Sequence, residues 1–136
     1  MTEAVRPQPV ELRGCGVRLE PLSPAHVDGL IAASADGDLG ALNYTATPHA
    51  TRESVSAYVQ AALDGQSAGT MLPFAVLGED GTVLGSTRCY DIDMSVPTLA
   101  IGYTWYRASA QRTHVNTACK RLLLGHAFDT LGMRTV

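Results

Sequence analysis

The sequence predicts an α/β domain of the α+β kind, in which a largely antiparallel sheet is flanked by helices. One observation is a clear helical stripe after Thr51, with apolar residues at positions i, i+3, i+4, i+7 and i+8. Another is a run of three strand-like segments, the first two joined by the hairpin pair Asp80-Gly81. The chain has 136 residues, the length of one domain. We take residues 16–136 as that domain and residues 1–15 as a loose lead-in.

Each element has its own local signal. Residues 17–22 alternate apolar and polar side chains, which indicates a half-buried strand. Ser23 followed by Pro24 is typical of a helix start, and Thr51 is suited to cap the next helix. The later elements are strands over residues 72–77, 82–90 and 98–106, a helix over 118–131 that ends at Gly132, and the opening of another strand over 133–136. The predicted order is β-α-α-β-β-β-α-(β).

The strand over residues 98–106 has a regular alternation that predicts which side chains share a face. One face is expected to carry Leu99, Ile101, Tyr103 and Trp105, and the other Ala100, Gly102, Thr104 and Tyr106.

Composition narrows the class of protein. The net charge is −3 and no long basic run occurs, which argues against nucleic acid as a partner. No apolar stretch approaches the length of a membrane span, so no membrane partner is expected. Cys15, Cys89 and Cys119 are an odd number without a paired spacing, which favours a reduced, cytoplasmic setting. The four histidines have no metal-ligand spacing, so no metal is expected.

The most informative stretch is a strand, a polar loop and a helix in succession. The strand ends in residues 99–105, the loop runs over residues 111–117, and the helix follows from Ala118. A small polar turn that opens a helix directs several backbone N–H groups, and the positive end of the helix dipole, at one point. The sequence therefore predicts an anion site there, and phosphate is the usual ligand of such sites.

With these elements in place, the chain resembles the Gcn5-related N-acetyltransferase (GNAT) superfamily, and within it the RimJ/RimL-like branch. The order of elements matches, and five phrases are similar to the family's, at residues 17–22, 72–76, 85–88, 101–105 and 111–117. Residues 111–117 occupy the place of the family's pyrophosphate loop. The resemblance implies the GNAT acyl-CoA N-acyltransferase fold, a mixed, mostly antiparallel sheet flanked by helices, here without its last strands and helix.

The resemblance implies transfer of an acetyl group from acetyl-CoA to a primary amine, on a protein N-terminus or a small molecule. The expected CoA-binding residues are Tyr103, Thr104, Trp105, Gln111, Arg112, Thr113, His114, Val115, Asn116 and Thr117. Tyr44, Thr45 and Asp91 are candidates for the acceptor side. No catalytic residue is assigned. A backbone N–H of the strand is expected to stabilise the oxyanion of the tetrahedral intermediate.

Plainer roles stand beside these. Arg112 is either a phosphate ligand or a solvated side chain, and Asn116 and Thr117 either contact phosphate or only cap the helix. Tyr103 and Trp105 either line the acyl path or belong to the core. Asp91 either meets the amine or forms a turn.

Three departures from the family's pattern keep other functions open. His114 stands where the family has a glycine that approaches phosphate, and Ala100 stands where related sequences often carry a glutamate base. The chain also ends at Val136, where the fifth family strand would begin. The alternatives are an inactive GNAT remnant and a CoA-binding or interaction module. An uncovered sheet edge predicts a homodimer or edge-paired oligomer.

Overall fold

A sheet of antiparallel strands, each paired with its neighbour along the chain, forms the centre of the molecule. The structure, a computed structural model, describes residues 5–36 and 50–136. In that part the strand order is β1-β2-β3-β4-β5. The strands are β1 Leu12–Gly14, β2 Val17–Pro21, β3 Leu72–Gly78, β4 Val83–Asp93 and β5 Thr98–Tyr106. The helices are α1 Val27–Ala35, α2 Arg52–Ser67 and α3 Val115–Gly125.

The helix starts follow the predicted local chemistry. The hydroxyl of Thr51 accepts a hydrogen bond from the backbone N–H of Ser54 at 3.1 Å, which caps α2 as predicted. Ser23 and Pro24 begin a turn of 3-10 helix over Pro24–His26, and α1 continues from it. Within the described residues, no helix combines the length and apolar character that crossing a membrane requires.

Two apolar clusters cover the two faces of the sheet. On one face, which we call the α3 face, α3 packs against strand residues that include Leu19, Phe74 and Cys89. On the other, the α1/α2 face, α1 and α2 pack against Ala75 and Leu77. The two faces alternate along β3 because successive side chains of a strand point to opposite sides.

The lead-in contains more order than the sequence indicated. β1 pairs with β2 through a tight turn, in which Cys15 has φ 51° and Gly16 has φ 79°. A strand of three residues has too short a period to be recognised from its pattern, and its stability comes from pairing with β2. The proposed division between residues 1–15 and 16–136 stays a prediction.

The C-terminal end differs slightly from the predicted helix. α3 ends at Gly125, and a π-helical turn over His126–Thr130 continues it to the predicted stop at Gly132, whose φ is 73°. The expected strand after it begins as a single parallel bridge between Thr98 and Thr135. In the described sheet, β5 is one of the two outer strands, and Thr135 lies beside its first residues.

Candidate active site

The centre of the candidate site is a β-bulge in β5. Ser86 of β4 pairs with Trp105, whereas Arg88 pairs with Gly102. One β4 residue therefore faces two residues of β5, which places an extra residue in β5. The backbone adopts φ 52° at Tyr103, a left-handed conformation that side chains rarely take. A bulge of this kind bends the strand and redirects the side chains that follow it.

The bulge overturns the predicted faces of this strand. Leu99 and Ile101 pack in the apolar cluster on the α3 face, but Trp105 packs in the cluster on the α1/α2 face. Tyr106, predicted to lie opposite Leu99, joins the α3 cluster. The inserted residue shifts the period of two by one position, so that every side chain after it changes face.

The loop that follows β5 is held by its own polar side chains. The side-chain amide of Gln111 donates to the carbonyl of Tyr106 at 2.9 Å. The hydroxyl of Thr113 donates to the carbonyl of Ala110 at 2.6 Å and accepts from the backbone N–H of Val115 at 3.3 Å. These bonds fix the loop between the strand end and the first turn of α3.

The N-terminus of α3 is open to solvent. Arg112, Thr113, His114, Asn116 and Thr117 are exposed. The first N–H groups of a helix have no acceptor within the helix, and the helix dipole adds positive potential there. No side chain caps α3 at His114. The predicted anion site is therefore sterically accessible, and Val115 is the loop residue that anchors it in the core, at 5% exposure.

The residue that adopts an unusual conformation in this loop is Arg112 rather than His114. Arg112 has φ 60°, whereas His114 has φ −67° and ψ −9°, an ordinary right-handed conformation. The replacement of a family glycine by His114 therefore imposes no backbone strain at that position. Its imidazole lines an open groove shared with Glu79 and Asp80 of the β3–β4 hairpin.

Strand and helix are tied together at Tyr106. Its phenol donates to the side-chain carbonyl of Asn116 at 3.1 Å. Burial raises the pKa of Tyr106, so that the phenol keeps its proton and serves as a donor. Asn116 thus has a structural role that links β5 to the first turn of α3.

Of the three predicted acceptor residues, the structure describes only Asp91. Asp91 is exposed in the second half of β4 with φ 49°, and it forms none of the ion pairs found in the described ranges. Tyr44 and Thr45 lie outside the described residues, and their role stays a prediction. The predicted CoA residues, by contrast, form one continuous path of strand, loop and helix start.

Sequence reasoning missed a buried cation beside the bulge. Arg88 is 4% exposed, and its guanidinium carbon lies 4.4 Å from the ring centroid of Tyr103 and 5.1 Å from that of Tyr58. A charged residue in the middle of a strand that is buried on both sides is itself a signal, because such burial is rare without a ligand or partner.

The sequence and the fold are similar to those of known acetyltransferases. Residues 17–136 match the family described as "Acetyltransferase (GNAT) domain". None of the curated proteins matches the chain. A GCN5-related N-acetyltransferase from Brucella melitensis is 30% identical with a TM-score of 0.86, and the alignment covers 98% of this chain and 61% of that one. The chain therefore spans about three fifths of the length of this relative.

Two more distant structures share the fold. Mycobacterium smegmatis RimJ, solved in complex with CoA-disulfide, is 19% identical with a TM-score of 0.74, over 92% of this chain and 63% of that one. FdhC, a nucleotide-linked sugar GNAT, is 15% identical with a TM-score of 0.70, over 93% and 70%. The family match over residues 17–136 and the Brucella relative confirm the resemblance noted in the sequence: this chain belongs to the GNAT acetyltransferase family.

Proposed function

We propose that the protein is an acetyl-CoA-dependent N-acetyltransferase that acts on a primary amine of a small molecule or a protein N-terminus. The observation that carries this proposal is the succession of the β5 bulge, the ordered loop and the open N-terminus of α3. In this proposal the N–H groups of Asn116 and Thr117 bind the pyrophosphate of CoA, because those of Val115 and Ala118 already donate to Thr113 and His114. The cytoplasmic setting and the oligomeric state stay predictions within this proposal.

The outer edge of β5 supports binding of the pantetheine arm. Thr135 pairs only with the start of the strand, and the described residues place no further strand beside residues 100–106. The amides of pantetheine can bond to such an edge as a neighbouring strand does. The bulge then directs a backbone N–H of β5 at the thioester oxygen, where it stabilises the oxyanion of the intermediate.

The chemistry proposed is direct attack of the amine. The neutral amine nitrogen forms a bond to the thioester carbon and gives up one proton to solvent. The C–S bond breaks, and the CoA thiolate takes up a proton from solvent. Two cysteines near the site are poor relays for the acetyl group. Burial raises the pKa of Cys89 to about 12 and also raises that of Cys119, so both remain protonated near neutral pH.

A charge at the helix start tests the anion site. Thr117→Asp places a carboxylate in the first turn of α3, where Thr117 is exposed. Because aspartate interacts well with the helix dipole, we expect the free energy of unfolding to stay equal or to rise by about 0.3–1 kcal/mol. We expect the same carboxylate to weaken acetyl-CoA binding about tenfold or more by repelling the pyrophosphate. Calorimetric titration measures the affinity of the wild type and the variant for acetyl-CoA, and urea denaturation measures their free energies of unfolding.

The controls separate charge from shape. Thr117→Asn is the neutral counterpart and should bind acetyl-CoA as the wild type does. Acetyl-pantetheine lacks the pyrophosphate, so its binding should be the same in both variants. Equal acetyl-CoA affinity for Thr117→Asp and Thr117→Asn would contradict the site. If acetyl-CoA binds but no amine in a panel of peptides and small molecules releases the CoA thiol, the protein is a binding module instead.

A further inference from the structure

The least satisfied charge in the described structure is the guanidinium of Arg88. Its Nε has no hydrogen-bond partner, and its Nη1 donates to the thioether sulfur of Met71 at 3.3 Å. Sulfur is a weak acceptor. The ion pairs found in residues 5–36 and 50–136 involve other basic side chains: Arg13, Arg18, His26, Arg52 and Arg107.

Two other arginines show how the same fold treats a guanidinium that needs only structural support. Arg107 donates to the carboxylate of Asp36 at 3.0 Å. Nε of Arg18 makes no hydrogen bond, as in Arg88, but it lies 3.4 Å from the carboxylate of Glu20, which supplies a counterion. Both are also more exposed than Arg88, at 22% and 29% of their side chains. The described carboxylates therefore neutralise the arginines that need it least and leave the most buried one without a counterion.

Aromatic rings hold the guanidinium without using its hydrogen-bonding groups. Tyr58 from α2 and Tyr103 from the bulge both lie within cation–π distance of Arg88. A ring face interacts with the flat side of a guanidinium, whereas the N–H donors lie in its plane and form a fork that fits a carboxylate. The rings therefore orient the arginine without satisfying its N–H donors, of which Nη1 contacts Met71 and Nε has no hydrogen-bond partner.

The position of Arg88 in the sheet favours contact with the acceptor rather than with CoA. Its neighbour Cys89 belongs to the α3 cluster, so Arg88 lies on the α1/α2 face, opposite the helix whose N-terminus is proposed to bind pyrophosphate. It pairs with Gly102, next to the bulge. Tyr103 is 40% exposed, so the group formed by Arg88, Tyr58 and Tyr103 reaches the surface at Tyr103.

We propose that Arg88 binds a carboxylate of the acceptor, and that the acceptor is a small primary amine that carries a carboxylate group. This inference rests on the proposed acetyltransferase function. Arg88 is a specificity-determining residue in it: the guanidinium pairs with the carboxylate of the acceptor and so places the amine beside the bulge. A buried guanidinium and a carboxylate in fork geometry form one of the stronger hydrogen-bonded pairs in proteins.

The test uses pairs of acceptors that differ only in charge. The probes are α-amino acids, 4-aminobutyrate and 5-aminopentanoate, each compared with its primary amide, in which a neutral carboxamide replaces the carboxylate. Acetylation is followed by release of the CoA thiol, and binding to the CoA-loaded protein is measured by calorimetry. We expect at least one acid to exceed its amide by tenfold or more in both kcat/KM and affinity.

Substitutions then assign that preference to Arg88. Arg88→Met should bring the ratio of kcat/KM for the acid to that for the amide down to about one. Arg88→Lys, which keeps the charge but not the fork, should lower this ratio less. Arg18→Met removes a sheet arginine outside the site and should leave the ratio unchanged. A merely structural role for Arg88 would lower the activity on acid and amide equally, and the ratio would not move. If Arg88→Met does not fold, Arg88→Lys carries the test.

Every outcome decides between the proposals. Equal use of acids and amides by the wild type, or an unchanged ratio in Arg88→Lys and Arg88→Met, would overturn the inference while leaving the acetyltransferase function intact. The absence of any acid that binds would also overturn it. Failure of acetyl-CoA itself to bind would instead contradict the proposed function. In that case, calorimetry of the acids without CoA would still test whether Arg88 binds a carboxylate.

Discussion

Each face of the sheet buries at least one side-chain nitrogen without a hydrogen-bond partner. The two faces differ in how the side chain that carries the nitrogen avoids the free-energy cost of burial. Near the α3 face, Nε2 of His126 is buried and unpartnered in the turn after α3. Desolvation lowers the pKa of His126, so the half-buried ring is neutral near pH 7. On the α1/α2 face, Nε of both Arg88 and Arg18 lacks a hydrogen-bond partner, but only Arg18 has a carboxylate nearby, that of Glu20 at 3.4 Å. A guanidinium does not lose its proton in a protein.

The comparison separates a structural compromise from a functional feature. A histidine escapes most of the free-energy penalty of burial by staying neutral, so nothing further is required of its surroundings. An arginine keeps its charge, and removing it from water is costly unless an anion compensates. His126 therefore needs no ligand to compensate its burial, whereas Arg88 on the α1/α2 face would be compensated by the acceptor carboxylate proposed above.

The largest expected effect tests the α3 face. Phe74 is completely buried on the α3 face, so Phe74→Ala should lower the free energy of unfolding by about 3–5 kcal/mol. Phe128→Ala is the matched control, because Phe128 is 46% exposed and its loss should change stability by less than about 1 kcal/mol. Urea denaturation of both variants measures the difference. Similar losses in the two would contradict the assignment of the core.

A glycine next to the bulge tests the surroundings of Arg88. A Cβ on Gly102 would lie 2.8 Å from the ring of Tyr90, which packs edge-on against Tyr103 with centroids 5.0 Å apart. We expect Gly102→Ala to displace these rings and to lower stability by about 1–3 kcal/mol. It should also weaken the preference for acidic acceptors, which the assay of acid and amide pairs measures.

The same substitution in α3 serves as its control. A Cβ on Gly125 meets nothing within 4 Å, and its φ of −60° and ψ of −45° are helical. Gly125→Ala should therefore stabilise the protein by about 0.5–1 kcal/mol through helix propensity, without altering the acceptor preference. If both alanines destabilise equally, steric overlap at Tyr90 is not the cause.

The smallest effect concerns pH. The pKa of His126 is lowered in the folded state from about 6.5 in the unfolded chain, so the unfolded state binds more protons as the pH falls below that value. Stability is therefore full above about pH 6.5 and declines on acidification. His126→Phe should reduce the decline in Tm between pH 8 and pH 5, whereas His114→Phe, in the exposed loop, should not. An identical decline in His126→Phe and the wild type would argue against this origin.

Local patterns predicted the elements well because their causes are local. Thr51 caps α2 through a bond to a residue only three positions away, and the hairpin at Asp80-Gly81 joins β3 to β4 with Gly81 at φ 85°. The loop of residues 111–117 lies between β5 and α3 as expected, because a strand pattern precedes it and a helical stripe follows it. Short β1 was missed, since three residues carry no period.

The centre of the site was less accessible to sequence reasoning. Alternation along residues 98–106 placed Tyr103 and Trp105 on one face with Leu99, but the bulge moves Trp105 to the other. Nothing local announces an inserted residue in a strand, because the bulge depends on how β5 pairs with β4. The backbone strain expected at His114 is absent, and Arg112 takes the left-handed conformation instead; the effect of His114 on CoA binding stays a prediction.

By itself, the sequence determined the order of strands and helices, the place of the loop of residues 111–117 and the membership of the GNAT family, since these depend on periodicity, caps and short motifs. Only the tertiary structure decided where β5 bulges and what surrounds Arg88. Tyr58, Arg88 and Tyr103 come from α2, β4 and β5, and they meet because the helix packs on the sheet at the bulge. Contacts between elements so far apart in the chain leave no pattern within any one of them.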